Sequence, residues 1–118
     1  MATIKIRRVY EKAAAGDGLR ILVDRLWPRG VKKEDASWVE WQKELAPSPE
    51  LRKWFGHDPE KWSQFKRKYA AELKTNAAVV AFLNAHKKDK VITLLYSAHD
   101  EEHNQALVLQ EYLIKLLS

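Results

Sequence analysis

Ser97, His99, Asp100, His103 and Asn104 fall close together near the end of the chain and form its densest group of chemically able side chains. A serine, imidazoles and a carboxylate are the parts of a nucleophile, base and orienter set, or of a metal site. His99 and His103 are four residues apart, a spacing that places two side chains on one face of a helix. Asp100, however, occupies the position of a helix N-cap, its carboxylate accepting from the first amides of the last helix. His99 then precedes the helix and the pair loses its common face, so no metal site is assigned. Glu101 and Glu102 suit the positive end of the helix dipole and would repel a phosphate seated there. His103, and His57 from a separate loop, are the candidate acid–base residues, since an imidazole changes charge near neutral pH.

Arginine supplies the second chemistry. Arg25 and Arg29 flank Trp27-Pro28, and Arg52 lies in a later helical segment. A guanidinium offers a planar fork of donors that matches carboxylate or phosphate. Arg25, Arg29 and Arg52 are therefore the candidate anion-binding wall, with Ser97, Asp100 and Asn104 orienting the ligand. Duller roles stand beside these: Arg25 paired with Asp100 as scaffold, Asp24 as a core-edge or capping acid, Trp27 and Trp54 as core, His86 as a satisfied core-edge histidine. The chain has no glycine-rich phosphate loop, no His-Glu-x-x-His and no nucleophile elbow.

The elements that must position these residues follow from apolar periodicity. Residues 3–9 alternate at Ile4 and Ile6 and predict a strand; 19–26, Leu-Arg-Ile-Leu-Val-Asp-Arg-Leu, predict a second, more buried one. Gly16-Asp17-Gly18 marks a turn between them, and Trp27-Pro28 ends the second. Residues 34–45 predict a helix, with Trp38, Trp41 and Leu45 on one face. Ser48-Pro49 starts a short helix through Phe55, and Asp58-Pro59-Glu60 starts the next, to about residue 73, with Trp62, Phe65, Tyr69 and Leu73 as its stripe. Thr75 or Asn76 caps a further helix, reaching about Lys88, on Val79, Phe82 and Leu83. Residues 91–96 form a third strand, apolar on both sides, and 101–117 a last helix on Ala106, Leu109, Leu113 and Leu116.

A strand apolar on both sides needs cover on both. The long helical stretch before the last strand predicts a right-handed parallel crossover. The expected architecture is a small three-layer α/β domain over residues 1–118, with a short, mostly parallel sheet of about three strands and helices on both faces. The first connection is short enough to leave a hairpin open. In open parallel sheets ligands collect at the carboxyl ends of the strands, which is where Arg29, Ser97 and His103 would meet.

Composition bounds the rest. The 118 residues suit one domain, and 46% hydrophobic with 31% charged residues predicts a packed core. There is no cysteine, which excludes disulfides, thiolate catalysis and cysteine-ligated metals and fits a cytoplasmic location. No apolar run approaches membrane-spanning length, and the start is too short and too alternating for a secretory leader. The net charge of +5 is uneven: residues 1–33 carry +6, 34–51 −4, 52–98 +6 and 99–118 −3. A basic chain attracts anions.

Taken as a set, Leu22-Val23-Asp24-Arg25-Leu26-Trp27-Pro28-Arg29-Gly30, Leu45-Ala46-Pro47-Ser48, Leu51-Arg52-Lys53-Trp54-Phe55, His57-Asp58-Pro59 and Leu94-Leu95-Tyr96-Ser97-Ala98, with Asp100 and His103-Asn104, resemble the YeaO-like family of uncharacterised bacterial proteins, a domain-of-unknown-function group. The resemblance runs from about residue 4 to 113. It implies a small α/β fold with a parallel first strand at the centre, and with the helix between the first two strands reduced to the Glu11–Gly18 loop. Some longer relatives carry a cysteine after the last strand and a Cys-His-Arg triplet at the following helix. Here those places hold Tyr96 or Ser97 and Glu102-His103-Asn104, so thiol chemistry does not carry over and His103 is the retained member. The family often has a basic residue such as arginine where this chain has His99.

The expected function is a pocket, with a catalytic role left open, for a small anionic ligand such as a nucleotide or phosphorylated metabolite. Its cofactor, if any, is not indicated. One alternative is a sequence-nonspecific nucleic-acid module using Lys61, Lys66, Arg67, Lys68, Lys87 and Lys88 against phosphates. The other is a homodimeric interaction protein pairing through its apolar last helix. The chain is expected to be a monomer or a homodimer with no membrane partner.

Overall fold

The computed structural model describes residues 2–36, 38 and 40–117. Four parallel strands form the sheet: β1 (Thr3–Arg8), β2 (Leu19–Leu22), β3 (Glu40–Trp41) and β4 (Val91–Tyr96), in the order β1-β4-β2-β3. Four α-helices accompany them: α1 (Pro49–Phe55), α2 (Trp62–Lys74), α3 (Ala77–Ala85) and α4 (Gln105–Leu117).

The strands arise where the apolar residues require them. β4, the most apolar, is central, and every residue from Ile92 to Tyr96 is buried. Ile92, Leu94 and Tyr96 meet α1 through α4 on one face, in the larger core cluster with Ile21, Val23, Phe65, Tyr69 and Leu109. Leu95 turns to the other face and packs with Val9, Leu22 and the half-buried Trp38. Helical segments thus lie on both faces, the α-helices on one and a 3-10 turn, Ala15–Asp17, on the other.

That turn explains the short first connection. The chain crosses the face of β4 and enters β2 parallel, so the hairpin does not form. Thr93, buried in the middle of β4, donates its hydroxyl to the Asp17 carbonyl at 2.7 Å. Gly18 follows with φ +63° and ψ −132°, and a Cβ there would strike the Val91 carbonyl. The Asp17 carboxylate is buried between Arg7, at 3.2 Å, and Arg20. The Ala14 amide, then the two guanidinium groups, hold its carboxyl below the usual carboxylate range against the effect of burial.

Three expectations need correction. β1 lies at an edge of the sheet, not at its centre, because the more apolar β4 takes the position that is covered on both sides. The sheet has a fourth strand. It comes from residues 34–45, which are not a helix: 3-10 turns at Lys33–Asp35 and Lys43–Leu45 bracket β3, whose Glu40 and Trp41 pair with Ile21 and Leu22. Ser37 and Val39 of that expected helix lie outside the described residues. Trp38, Trp41 and Leu45 consequently share no face. Trp38 packs on the Leu95 side, Leu45 is fully buried among the helices, and Trp41 is partly exposed with its indole N–H donating to the Asp24 carbonyl at 2.7 Å.

The helix ends follow local chemistry. Ser48 caps α1 by accepting from the Leu51 amide at 3.1 Å, and both Ser48 donors also reach the Glu72 carboxylate of α2. Gly56, left-handed at φ +54°, ends α1. Asp58 caps a 3-10 turn, Pro59–Lys61, that runs into α2. Asn76 caps α3, which stops at Ala85, and His86 then bridges Asp89 at 3.0 Å and Glu40 at 3.1 Å as a core-edge histidine. α4 begins at Gln105 rather than at 101, because Asp100 caps a separate turn through His103 while Asn104 accepts from the Leu107 amide. Leu116, expected on the buried stripe, is 49% exposed.

At the outer rim, Thr3 and Val9 donate their amides to Lys90 and Tyr96. Ile4 therefore turns its backbone polar groups away from the sheet, since these directions alternate along a strand. Gln110 of α4 donates to that Ile4 carbonyl at 2.8 Å.

Candidate functional site

The carboxyl ends of β2 and β4 open onto a cavity of about 970 Å³, walled on the far side by α1 and the loop that follows it. Of the residues expected at a site, Arg25, Arg29, Arg52, His57, Ser97 and Asp100 line it. Asp24, Trp27, Lys53 and Gln105 line it as well.

β2 delivers Asp24 to the base of the cavity. Asp24 is 8% exposed and accepts from the Ser97 amide at 3.0 Å, from the Ser97 hydroxyl, and from the side-chain amide of Gln105. This carboxylate therefore ties the end of β2 to the end of β4 and to the first turn of α4. Burial pushes the Asp24 carboxyl up, outweighing the Ser97 and Gln105 hydrogen bonds and the charge of His57. Ser97 is oriented by this contact, with its hydroxyl proton directed at a carboxylate rather than at an imidazole. Arg8, at the end of β1, fixes the same segment by donating to the Ala98 and Ser97 carbonyls at 2.9 and 3.3 Å.

The cations divide into two groups. Arg25 is held by the Ala46 and Pro47 carbonyls at 3.2–3.3 Å, with Glu44 at 3.9 Å, so it clamps the segment entering α1. It does not pair with Asp100, whose oxygens take the Glu102 and His103 amides and the His103 imidazole at 2.8–3.0 Å. These bonds, led by the Glu102 amide, hold the Asp100 carboxyl below its usual range. Arg29, Arg52 and Lys53 are exposed at the rim, and among the described residues none has a side-chain hydrogen bond or ion pair. The Arg29 backbone is fixed by the Tyr10 hydroxyl, which donates to its carbonyl at 2.9 Å.

His57 stands opposite Asp24 in unusual geometry. Among the described residues it is the non-glycine with positive φ, +59°, directly after Gly56. The Asp58 amide bonds back to the Phe55 carbonyl at 3.0 Å and keeps this turn closed. Such strain costs on the order of 1 kcal/mol and tends to persist where a side chain must be aimed at a site.

His103 and Asn104 fall outside the lining. The His103 ring meets Trp62 edge-on at 5.4 Å between centroids, and its Nδ1 is 2.8 Å from Asp100. Asn104 is buried and engaged at both ends of its amide, by the Asp100 carbonyl and the Leu107 amide. The four-residue start that α4 surrenders to the Asp100 turn rotates both residues away from the cavity. Lys53 and Asp24 line the cavity although neither stands among the residues expected to bind there. The signal for Lys53 was its position beside Arg52; that for Asp24 was a carboxylate ending an apolar strand. Among the described residues no group of three or more His, Asp or Glu side chains is placed to hold a metal ion, and no helix is long and apolar enough to cross a membrane.

The molecule is thus a small parallel α/β domain with a cation-rimmed cavity at the strands' carboxyl ends. Residues 3–118 match the family described as the inactive DUF488-N3 subclade, and the chain belongs to that family, the YeaO-like group. It is 46% identical over 113 residues to Uncharacterized protein YeaO of Escherichia coli, covering 96% of this chain and 98% of that one. It is 36% identical over 107 residues to Uncharacterized protein Rv3073c of Mycobacterium tuberculosis and to Uncharacterized protein Mb3100c of Mycobacterium bovis, covering 91% of each chain. No solved structure matches the chain.

Proposed function

We propose that the chain binds a small anionic ligand, a nucleotide or other phosphorylated metabolite, in the cavity at the carboxyl ends of β2 and β4, without turning it over. The observation that carries this reading is the imbalance of charge at the cavity. Arg29, Arg52 and Lys53 have no anionic partner among the described residues, while the two lining carboxylates are already engaged by the protein's own donors. A cluster of unopposed cations in a hollow lowers the energy of an anion there and raises its arrival rate. Arg29 and Arg52 hold the anionic group, Lys53 adds to the positive rim, and Ser97 and Asp100 shape the floor. Binding without turnover is supported by the family's description as inactive and by a chain without cysteine. The Ser97 hydroxyl, facing a carboxylate, lacks the imidazole of an activated serine.

Calorimetry and thermal melting with inorganic phosphate, AMP, GMP and ribose 5-phosphate, each against its neutral counterpart, test the reading. Phosphorylated compounds should raise the melting temperature and neutral ones should not. At a hundredfold excess over the dissociation constant the gain is about 2.7 kcal/mol. Arg29→Ala should abolish the shift while leaving the unliganded melting temperature within about 2 °C, as expected for an exposed side chain. A large loss of stability would make Arg29 scaffold, and a panel that binds nothing would remove the reading.

A further inference from the structure

We propose that the cavity receives the end of a single-stranded nucleic acid whose chain continues across α1 into a second hollow; this rests on the anionic-ligand reading above. The second hollow, about 550 Å³, is lined by Trp54, Gln64, Arg67, Lys68 and Ala71. α1 is the wall shared by the two: Arg52 and Lys53 line the first, and the adjacent Trp54 lines the second. One short helix thus separates two basic depressions.

One cation of the second hollow is held in place: Lys68 puts its ammonium group 5.0 Å from the Trp54 ring centroid, and Lys61 stands 5.1 Å from the same ring. Lys61 also donates to the Trp54 carbonyl at 2.8 Å. Contact with an aromatic face restrains a long, mobile side chain, so less ordering remains to be done when a phosphate arrives. Arg67 and Lys68 have no ion pair among the described residues. Nearby, Asp58 caps its own turn and Glu72 is bound to Ser48.

A mononucleotide would fill the first hollow and leave the second unused. A chain of repeating phosphates uses both. The recesses favour a flexible single strand over a duplex, since a rigid duplex needs an element that enters its groove or a broad convex contact. Lys87 and Lys88, after α3, line neither hollow and have no part in this path.

The test compares AMP with ten-residue oligonucleotides, dT10, U10 and a matched duplex, by fluorescence anisotropy on the full chain. The single strands should bind at least tenfold more tightly than AMP and more tightly than the duplex. With four or five phosphates contacted, log affinity should fall against log salt with a slope of about −3. Arg67→Ala combined with Lys68→Ala should cost the oligonucleotides at least tenfold and leave AMP within twofold, and Arg29→Ala should weaken both. Melting temperature confirms that these exposed substitutions leave the fold intact, and Arg67→Ala alone, which spares the Trp54 contact, should act in the same direction. If AMP binds and the oligonucleotides bind no more tightly, the extended path is wrong and the cavity reading stands. Equal binding of duplex, or oligonucleotide binding indifferent to Arg29→Ala, also overturns the path. If neither AMP nor oligonucleotide binds, both readings fail.

Discussion

Replacing Asp24 isolates the contact on which the cavity's geometry depends. Its carboxylate accepts from the Ser97 amide, the Ser97 hydroxyl and the Gln105 side chain. In Asp24→Ala all three donors lose their acceptor. The hydroxyl and the glutamine amide can turn to water in the cavity, whereas the backbone N–H cannot. A hydrogen bond to a charged group contributes about 1.5–3 kcal/mol, and an unsatisfied buried donor costs about 1–3 kcal/mol. Removing a buried carboxylate offsets part of this, which leaves a net loss of about 2–3 kcal/mol. Asp24→Asn keeps an oxygen for Ser97, and Gln105 can reverse its amide to meet the new NH2 group, so its loss should stay within about 1 kcal/mol. For a domain of this size the two variants should melt roughly 5–8 °C apart. The pH response supplies a second reading. Burial raises the folded carboxyl above its unfolded value near 3.9, so the folded state binds the proton more tightly. Protonation therefore favours folding. The contribution is fully present below the unfolded value and declines as pH rises through the raised folded value. Asparagine has no such decline, so the wild type should gain on Asp24→Asn as pH is lowered from 7 to 4, followed by urea denaturation. The opposite acid response of Asp17 is common to both proteins and cancels in the difference. Equal losses for Ala and Asn would refute the role of the accepting oxygens, and a wild-type advantage that shrinks in acid would refute the dominance of burial.

Asp17 should behave in the reverse sense: its folded carboxyl is lowered, so its stabilisation is present above the unfolded value and lost as pH falls through the folded one. Asp17→Asn, which removes the buried carboxylate between Arg7 and Arg20, should cost about 3–5 kcal/mol at pH 7 in urea titrations, with the deficit narrowing in acid. Gly18→Ala should cost at least about 3 kcal/mol, because a left-handed φ coincides with a collision against the Val91 carbonyl. Gly30, at φ +80° with open space around it, is the control, and its alanine variant should lose only about 1 kcal/mol.

Three of the four strands and most helix starts are legible because their signals are local. The apolar run 91–96 matches β4 at both ends, and Ser48-Pro49 and Asp58-Pro59 mark the turns that begin α1 and lead into α2. Residues 34–45 misled because the spacing of Trp38, Trp41 and Leu45 matches a helical period, while two residues of strand are too few to leave a period of their own. What places Trp41 is its partner Leu22, and no local pattern reports that. The site divides in the same way. Arg29, His57 and Ser97 were legible as polar residues at strand ends and turns, and the structure brings all three to one cavity. The displacement of His103 depends on where α4 begins, a contest between two adjacent caps, Asp100 and Asn104, that residue types alone do not decide. The role of Asp24 rests on Ser97 and Gln105, far along the chain, and so required the register of β2 against β4.

The Gln110 side chain, seated on the Ile4 carbonyl, bears on how the molecule behaves in a crowd. A naked terminal strand is a template onto which a neighbour's extended segment can zip, and from there fibres grow. Here the plug comes from α4, a helix anchored in the core, so an intruding chain that pairs at Ile4 would have to evict it.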